Sequence, residues 1–118
     1  MYYEEKEIWN MLQQILSALA YLHDNKIIHR DVKTLNVMLN ASNALKLGDL
    51  GVSKFVQTDP ALYSRVGTPL YLAPEIIKYE KYDYKADIWG AGIITYVLST
   101  FNHPFEGKNI ISLGQNIV

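Results

Sequence analysis

An α+β fold, mostly helical with a few short strands, is what this sequence predicts. Two long segments carry the helical part, one amphipathic near the start and one apolar almost all round near the end. Between them lie three runs of two or three mainly aliphatic residues, too short for helices and set apart by Asp, Asn and Gly.

Taken in order, Ile8, Leu12, Ile15, Leu19 and Leu22 keep a helical period, with Met11, Leu16 and Ala20 widening the stripe. Glu4, Glu5 and Glu7 fall in the first turn, where the helix dipole favours negative charge. Asp24-Asn25-Lys26 ends that helix. Ile27-Ile28 reads as a short buried strand, and Val37-Met38-Leu39 with Leu45-Lys46-Leu47 as a hairpin across residues 40–43. From Asp49 to Glu75 periodicity is lost, and Gly51, Pro60, Gly67, Pro69 and Pro74 punctuate an irregular segment long enough to be functional rather than filler. A short helix is expected over Glu75–Lys78, then an exposed loop, residues 79–84, whose tyrosines pack locally. Asp87 is the expected N-cap of a helix through Leu98 that belongs in the middle of a core.

With 118 residues, 49% apolar and 19% charged, the composition is that of one ordinary globular domain. A net charge of −1 without any Lys/Arg run predicts no nucleic-acid or membrane partner. The absence of cysteine excludes disulfides and thiolate metal sites. The acidic start carries no signal peptide, and the apolar stretch around Ile88–Leu98 is too short and Gly-interrupted to span a bilayer. An intracellular, cytoplasmic setting is therefore expected; oligomeric state leaves no trace in the sequence.

The chemistry concentrates in His29-Arg30-Asp31-Val32-Lys33-Thr34-Leu35-Asn36, between two short strands. One tight loop can project Asp31, Lys33 and Asn36 together. An aspartate there can accept a hydroxyl proton, a lysine can neutralise a phosphoryl group, and an asparagine oxygen can ligate a hard cation. Alone, such an Asp/Lys pair is more often a surface salt bridge. Asp49-Leu50-Gly51 follows at a strand end, thirteen residues after Asn36, where a carboxylate could hold Mg2+ against phosphates or simply make a turn. Gly67-Thr68-Pro69-Leu70-Tyr71-Leu72-Ala73-Pro74-Glu75 closes the irregular segment, and Asp87-Ile88-Trp89-Gly90-Ala91-Gly92 opens the buried helix twelve residues after Glu75.

These four segments, in this order and spacing, resemble the protein kinase family. The resemblance covers residues 1–118 and implies a kinase-like fold restricted to the larger, C-terminal lobe: mainly helical, with two short β-hairpins. It implies ATP and Mg2+ as cofactors and a protein substrate with a Ser or Thr acceptor. Asp31 would be the catalytic base, Lys33 would contact the γ-phosphate, and Asn36 and Asp49 would hold Mg2+. Met38 would form the floor under the adenine. Arg30 would meet the phosphate of an activated loop, with Ser64 the expected phosphosite and Thr58 in reserve. Thr68 would bond Asp31 and Lys33; His29 and Leu50 would stack in a hydrophobic spine; Asp87 would brace the catalytic loop. Glu75 would lack the buried arginine partner that the family gives it. Lys33 two residues after Asp31, and Thr68 after Gly67, follow the serine/threonine pattern. Leu50 within Lys46-Leu47-Gly48-Asp49-Leu50-Gly51, with His103-Pro104-Phe105-Glu106-Gly107, is similar to the NIMA-related kinases, which adds an expected cytoskeletal association. Val52 would face the acceptor residue and favour threonine.

No glycine-rich phosphate loop and no Val-Ala-Ile-Lys strand occur among the 118 residues; Gly90-Ala91-Gly92 reads as helix packing. The expectation is therefore a kinase lobe that is inactive by itself. Two alternatives stand beside it, a non-catalytic interaction module and an ATP-binding pseudokinase. The retention of Asp31, Lys33, Asn36 and Asp49 argues against both.

Overall fold

A computed structural model describes residues 2–50, 54–55 and 68–118. Val52, Thr58 and Ser64 lie outside the described residues, as do Gly51, Arg65 and Gly67.

Helix α1 spans Glu5–Asp24. Its entry is fixed by Glu7, whose carboxylate accepts the Glu4 N–H at 2.8 Å, the reciprocal half of a capping box. The expected stripe is narrower than its sequence: Ile15 and Leu19 are buried, whereas Leu16 and Ala20 face outward. Helix α3, Tyr84–Thr100, starts three residues before Asp87. Its N-cap is Asp83, which accepts the Lys85 N–H, not Asp87 as expected. The Tyr-rich polar run hid the first turn, and Asp87 lies one turn inside the helix, 1% exposed. Phe101 ends α3 in a left-handed conformation, φ 55°.

Strands β1 (Ile27–Ile28), β2 (Val37–Leu39), β3 (Leu45–Leu47) and β4 (Lys54–Phe55) form two antiparallel pairs. The β2–β3 hairpin has the expected register, Val37 opposite Leu47 and Leu39 opposite Leu45. The second pair is not a hairpin. β1 pairs with β4, Ile27 opposite Phe55, across the whole intervening loop and hairpin, so a strand lies within the segment expected to be irregular. Its two residues are too few to show a period. Helix α2 covers Pro74–Ile77 and α4 Ile110–Ile117, the latter capped by Asn109 and Ser112. No described helix is long and apolar enough to cross a membrane.

Two apolar clusters flank the loop between β1 and β2. Ile28 packs with Leu72, Ala73, Ile76, Tyr82 and Ala86; Val32 packs with Ile15, Leu19, Ala91 and Ile94. The loop is thus held by α2 and α3 at its start and, at Val32, between α1 and α3. Gly90 permits the approach, since a Cβ there would stand 2.9 Å from both the Val32 Cβ and its carbonyl oxygen. Among the described residues nothing approaches the Cβ that Gly92 would gain, so it has no such role.

Candidate active site

The segment carrying Asp31, Lys33 and Asn36 has little room to relax. His29 is fully buried and Arg30 is 5% exposed. Arg30 adopts a left-handed backbone, φ 73°, which costs an L-residue about 1–2 kcal/mol. The Asp87 carboxylate holds it there: Oδ2 accepts the His29 N–H at 2.9 Å and Oδ1 the Arg30 N–H at 3.0 Å. The His29 ring then ties the loop to the hairpin. Its Nε2 faces the Gly48 carbonyl at 2.8 Å, which can only accept, and its Nδ1 faces the Asp31 N–H at 3.1 Å, which can only donate. The ring therefore carries its proton on Nε2.

Around Asp31 the side chains form a closed set. Lys33 Nζ donates to Thr68 Oγ1 at 2.8 Å, and that hydroxyl donates to Asp31 Oδ1 at 3.0 Å. Asp31 Oδ2 lies 3.5 Å from Lys33 Nζ. Asn36 Nδ2 donates to the Asp31 carbonyl at 2.7 Å and to Oδ2 at 3.3 Å, which turns Oδ1 of the same amide away from Asp31. The Asp31 and Lys33 side chains are 15% and 20% exposed, enough to meet a substrate while remaining ordered by partners. Thr34 and Tyr71 share a hydroxyl–hydroxyl bond of 3.0 Å, and the Tyr71 ring meets His103 edge-on at 5.3 Å. The loop is thereby anchored to the turn after Thr68.

Asp49 is brought beside Asn36 by the hairpin, whose last rung is the Gly48 N–H to the Asn36 carbonyl at 2.8 Å. Its backbone is also left-handed, φ 56°. Among the described residues no cluster of three or more His, Asp or Glu forms a complete cation cage. A site of one carboxylate and one amide oxygen fits Mg2+ nonetheless, because that ion keeps waters and binds through one or two carboxylates plus phosphates.

Met38 and Leu50 are 54% and 51% exposed. Glu75 is half-buried, and no ion pair reaches it among the described residues.

Tyr82 also departs from expectation. It is 2% exposed, with the Arg30 guanidinium 4.7 Å above its ring. Burial pushes its hydroxyl up to about 12, against the opposing pull of Arg30. Arg30 Nε and Nη1 are buried without a hydrogen-bond partner among the described residues. Sequence reasoning missed Tyr82, one of three tyrosines in a short polar run, and also His23. The latter reaches Asp87 from 64 positions away, Nε2 to Oδ2 at 2.8 Å; no local pattern signals such a pairing.

The family described as protein kinase domain matches residues 1–118. Serine/threonine-protein kinase Nek4 of Mus musculus is 38% identical over 115 residues, 97% of this chain and 14% of that protein. A probable serine/threonine-protein kinase, nek3 of Dictyostelium discoideum, is 43% identical over 116 residues, 94% of this chain and 10% of that protein. Serine/threonine-protein kinase Nek9 of Mus musculus is 38% identical over 119 residues, covering 100% of this chain and 12% of its own length. The chain thus spans between a tenth and a seventh of the relatives it matches.

Proposed function

The chain belongs to the protein kinase family, with Nek serine/threonine kinases among its relatives, and from that premise we propose that it carries the catalytic loop for phosphoryl transfer from ATP to serine and threonine hydroxyls. The observation that carries the proposal is the closed set Asp31–Thr68–Lys33, with Asn36 pinned at Asp31. Phosphoryl transfer needs positioning and charge stabilisation more than covalent chemistry, and this set supplies both.

In this reading Asp31 Oδ2 accepts the acceptor hydroxyl's proton while Oδ1 stays fixed by Thr68. Lys33, held by the same hydroxyl, turns its charge toward the transferring phosphoryl group. Asn36 Oδ1 and Asp49 would hold Mg2+, which neutralises the phosphates when bound. The exposed faces of Met38 and Leu50 await the nucleotide side of a cleft, and the chain forms the larger lobe below it. Arg30, with two buried N–H groups in want of an acceptor, is suited to an anion such as a phosphate on Ser64; such a group brings about −1.5 to −2 charges.

The test joins this chain behind the ATP-binding lobe of a Nek relative and offers labelled ATP with three peptides differing only in a Ser, Thr or Tyr acceptor. Label is expected on Ser and Thr, with Thr favoured by a β-branched residue at position 52, where one methyl is worth about 1–3 kcal/mol. Comparable kcat/KM on Tyr contradicts the proposal, and a Ser preference removes Val52 from it.

A further inference from the structure

We infer that His103 is a positioning residue for the catalytic loop, acting through Tyr71 on Thr34. The inference rests on the proposed role of that loop and concerns a side chain in the segment after α3. Two side-chain rungs tie the loop to the turn at residues 68–71. One is the Lys33–Thr68 bond, whose hydroxyl also serves Asp31. The other is the Thr34–Tyr71 hydroxyl pair at 3.0 Å, one residue further along the loop. That second rung depends on where the phenol ring points, because a tyrosine side chain pivots about two bonds and its hydroxyl moves with the ring. Tyr71 packs on the cluster that holds Val32, and His103 meets its ring at an interplanar angle of 87°, 5.3 Å between centroids. Such an edge-on contact is directional, whereas aliphatic packing is not.

Local features of the sequence bring His103 to that position. Phe101 ends α3 at φ 55°, which turns the chain back, and the Asn102 side chain holds the turn by donating to the Thr100 carbonyl at 2.8 Å. Pro104 keeps His103, the residue before it, out of helical backbone. Phe105 then stacks on Trp89 of α3, 5.9 Å between centroids and 12° between planes. The imidazole is thus presented from a segment pinned on both sides to the helix that also carries Asp87 and Gly90. Its Nδ1 is buried without a hydrogen-bond partner among the described residues, so no bond at that atom fixes the ring. Without the ring edge, Tyr71 is free to swing, the Thr34 hydroxyl loses its partner, and only the Lys33–Thr68 rung still joins loop and turn.

The test uses the joined kinase domain with His103→Leu, His103→Phe and Thr34→Val. Leucine keeps much of the imidazole's volume but has no ring edge; phenylalanine restores the edge, and no bond is lost at Nδ1. His103→Leu is expected to lower kcat about threefold to tenfold with KM for ATP little changed, and His103→Phe to recover most of that loss. In the Thr34→Val background, where the hydroxyl partner is already gone, His103→Leu should cost less than about twofold more. A residue that only supports the fold would show its full effect in both backgrounds. An unchanged kcat in His103→Leu, or the same fold loss in both backgrounds, overturns the inference. The 118-residue chain gives a reading without catalysis. Exchange of the Tyr71 amide, which donates to the Thr68 carbonyl at 2.9 Å, should quicken roughly tenfold in His103→Leu while amides in the middle of α3 hold their rates. No change at Tyr71, or a uniform rise through α3, also overturns it. Asp31→Asn measured beside these variants separates the two readings. If Asp31→Asn transfers as fast as the unaltered domain, the catalytic reading fails, and the exchange result alone decides whether His103 holds Tyr71. If Asp31→Asn abolishes transfer and His103→Leu leaves kcat intact, only the His103 inference falls.

Discussion

Gly90→Ala isolates the packing that places the catalytic loop. A Cβ at Gly90 would stand 2.9 Å from the Val32 Cβ and 2.9 Å from the Val32 carbonyl oxygen, against the ordinary carbon contact of about 3.5–4.0 Å. Val32 is 4% exposed and adjoins Asp31, so α3 and the loop must separate by several tenths of an ångström. Overpacking of this kind costs about 1–3 kcal/mol. An alanine in a helix interior gains about 0.5–1 kcal/mol over glycine, which offsets part of it. Gly92, half a turn on, has nothing among the described residues within 4 Å of the same added atom, so Gly92→Ala collects the gain alone. The difference between the two variants therefore cancels propensity and leaves the overpacking term, about 1–3 kcal/mol in favour of Gly92→Ala. Urea denaturation of the three proteins at neutral pH reads it directly. Equal stability of Gly90→Ala and Gly92→Ala would refute the claim that contact with α3 sets the loop's position.

Tyr82 yields a pH-dependent prediction. Below pH 10 its hydroxyl is protonated in folded and unfolded chains alike; between pH 10 and about 12 the unfolded chain ionises first, so about 2–3 kcal/mol of stability is lost as pH rises through that window. Tyr82→Phe should remove this part of the alkaline loss, and identical pH profiles for the two proteins would argue against a buried hydroxyl. In the joined kinase domain Ser64→Ala should abolish activation by loop phosphorylation, as should Arg30→Ala; unchanged activity with the loop still phosphorylated would exclude Ser64.

Elements with a strong period or a fixed spacing were legible from sequence. The α1 stripe, the β2–β3 register and the loop holding Asp31, Lys33 and Asn36 all lie within short windows, where periodicity and turn chemistry speak. What was not legible is what depends on distant partners. β4 is two residues long and exists because β1 lies opposite. Asp87 resembled an N-cap because Asp at a helix start usually is one; only the fold shows its oxygens spent on loop amides from 57 and 58 positions away. Tyr82 and His23 were hidden for the same reason, since a residue's burial against another element carries no local signature. Leu16 and Ala20 erred the other way: apolar and in phase, they still face outward, because a helix touching one layer buries only the centre of its stripe.

The most direct measurement of the central claim is single-turnover phosphoryl transfer by the joined kinase domain, unaltered and with Asp31→Asn, alongside ATP affinity for each. Asparagine keeps the shape and can still accept from Thr68, so the loop geometry should persist. Transfer slowed by roughly 10²-fold or more, with ATP affinity within about twofold, is the predicted result, because Asp31 acts on the proton and not on the nucleotide. Transfer by Asp31→Asn within about threefold of the unaltered domain would contradict the account.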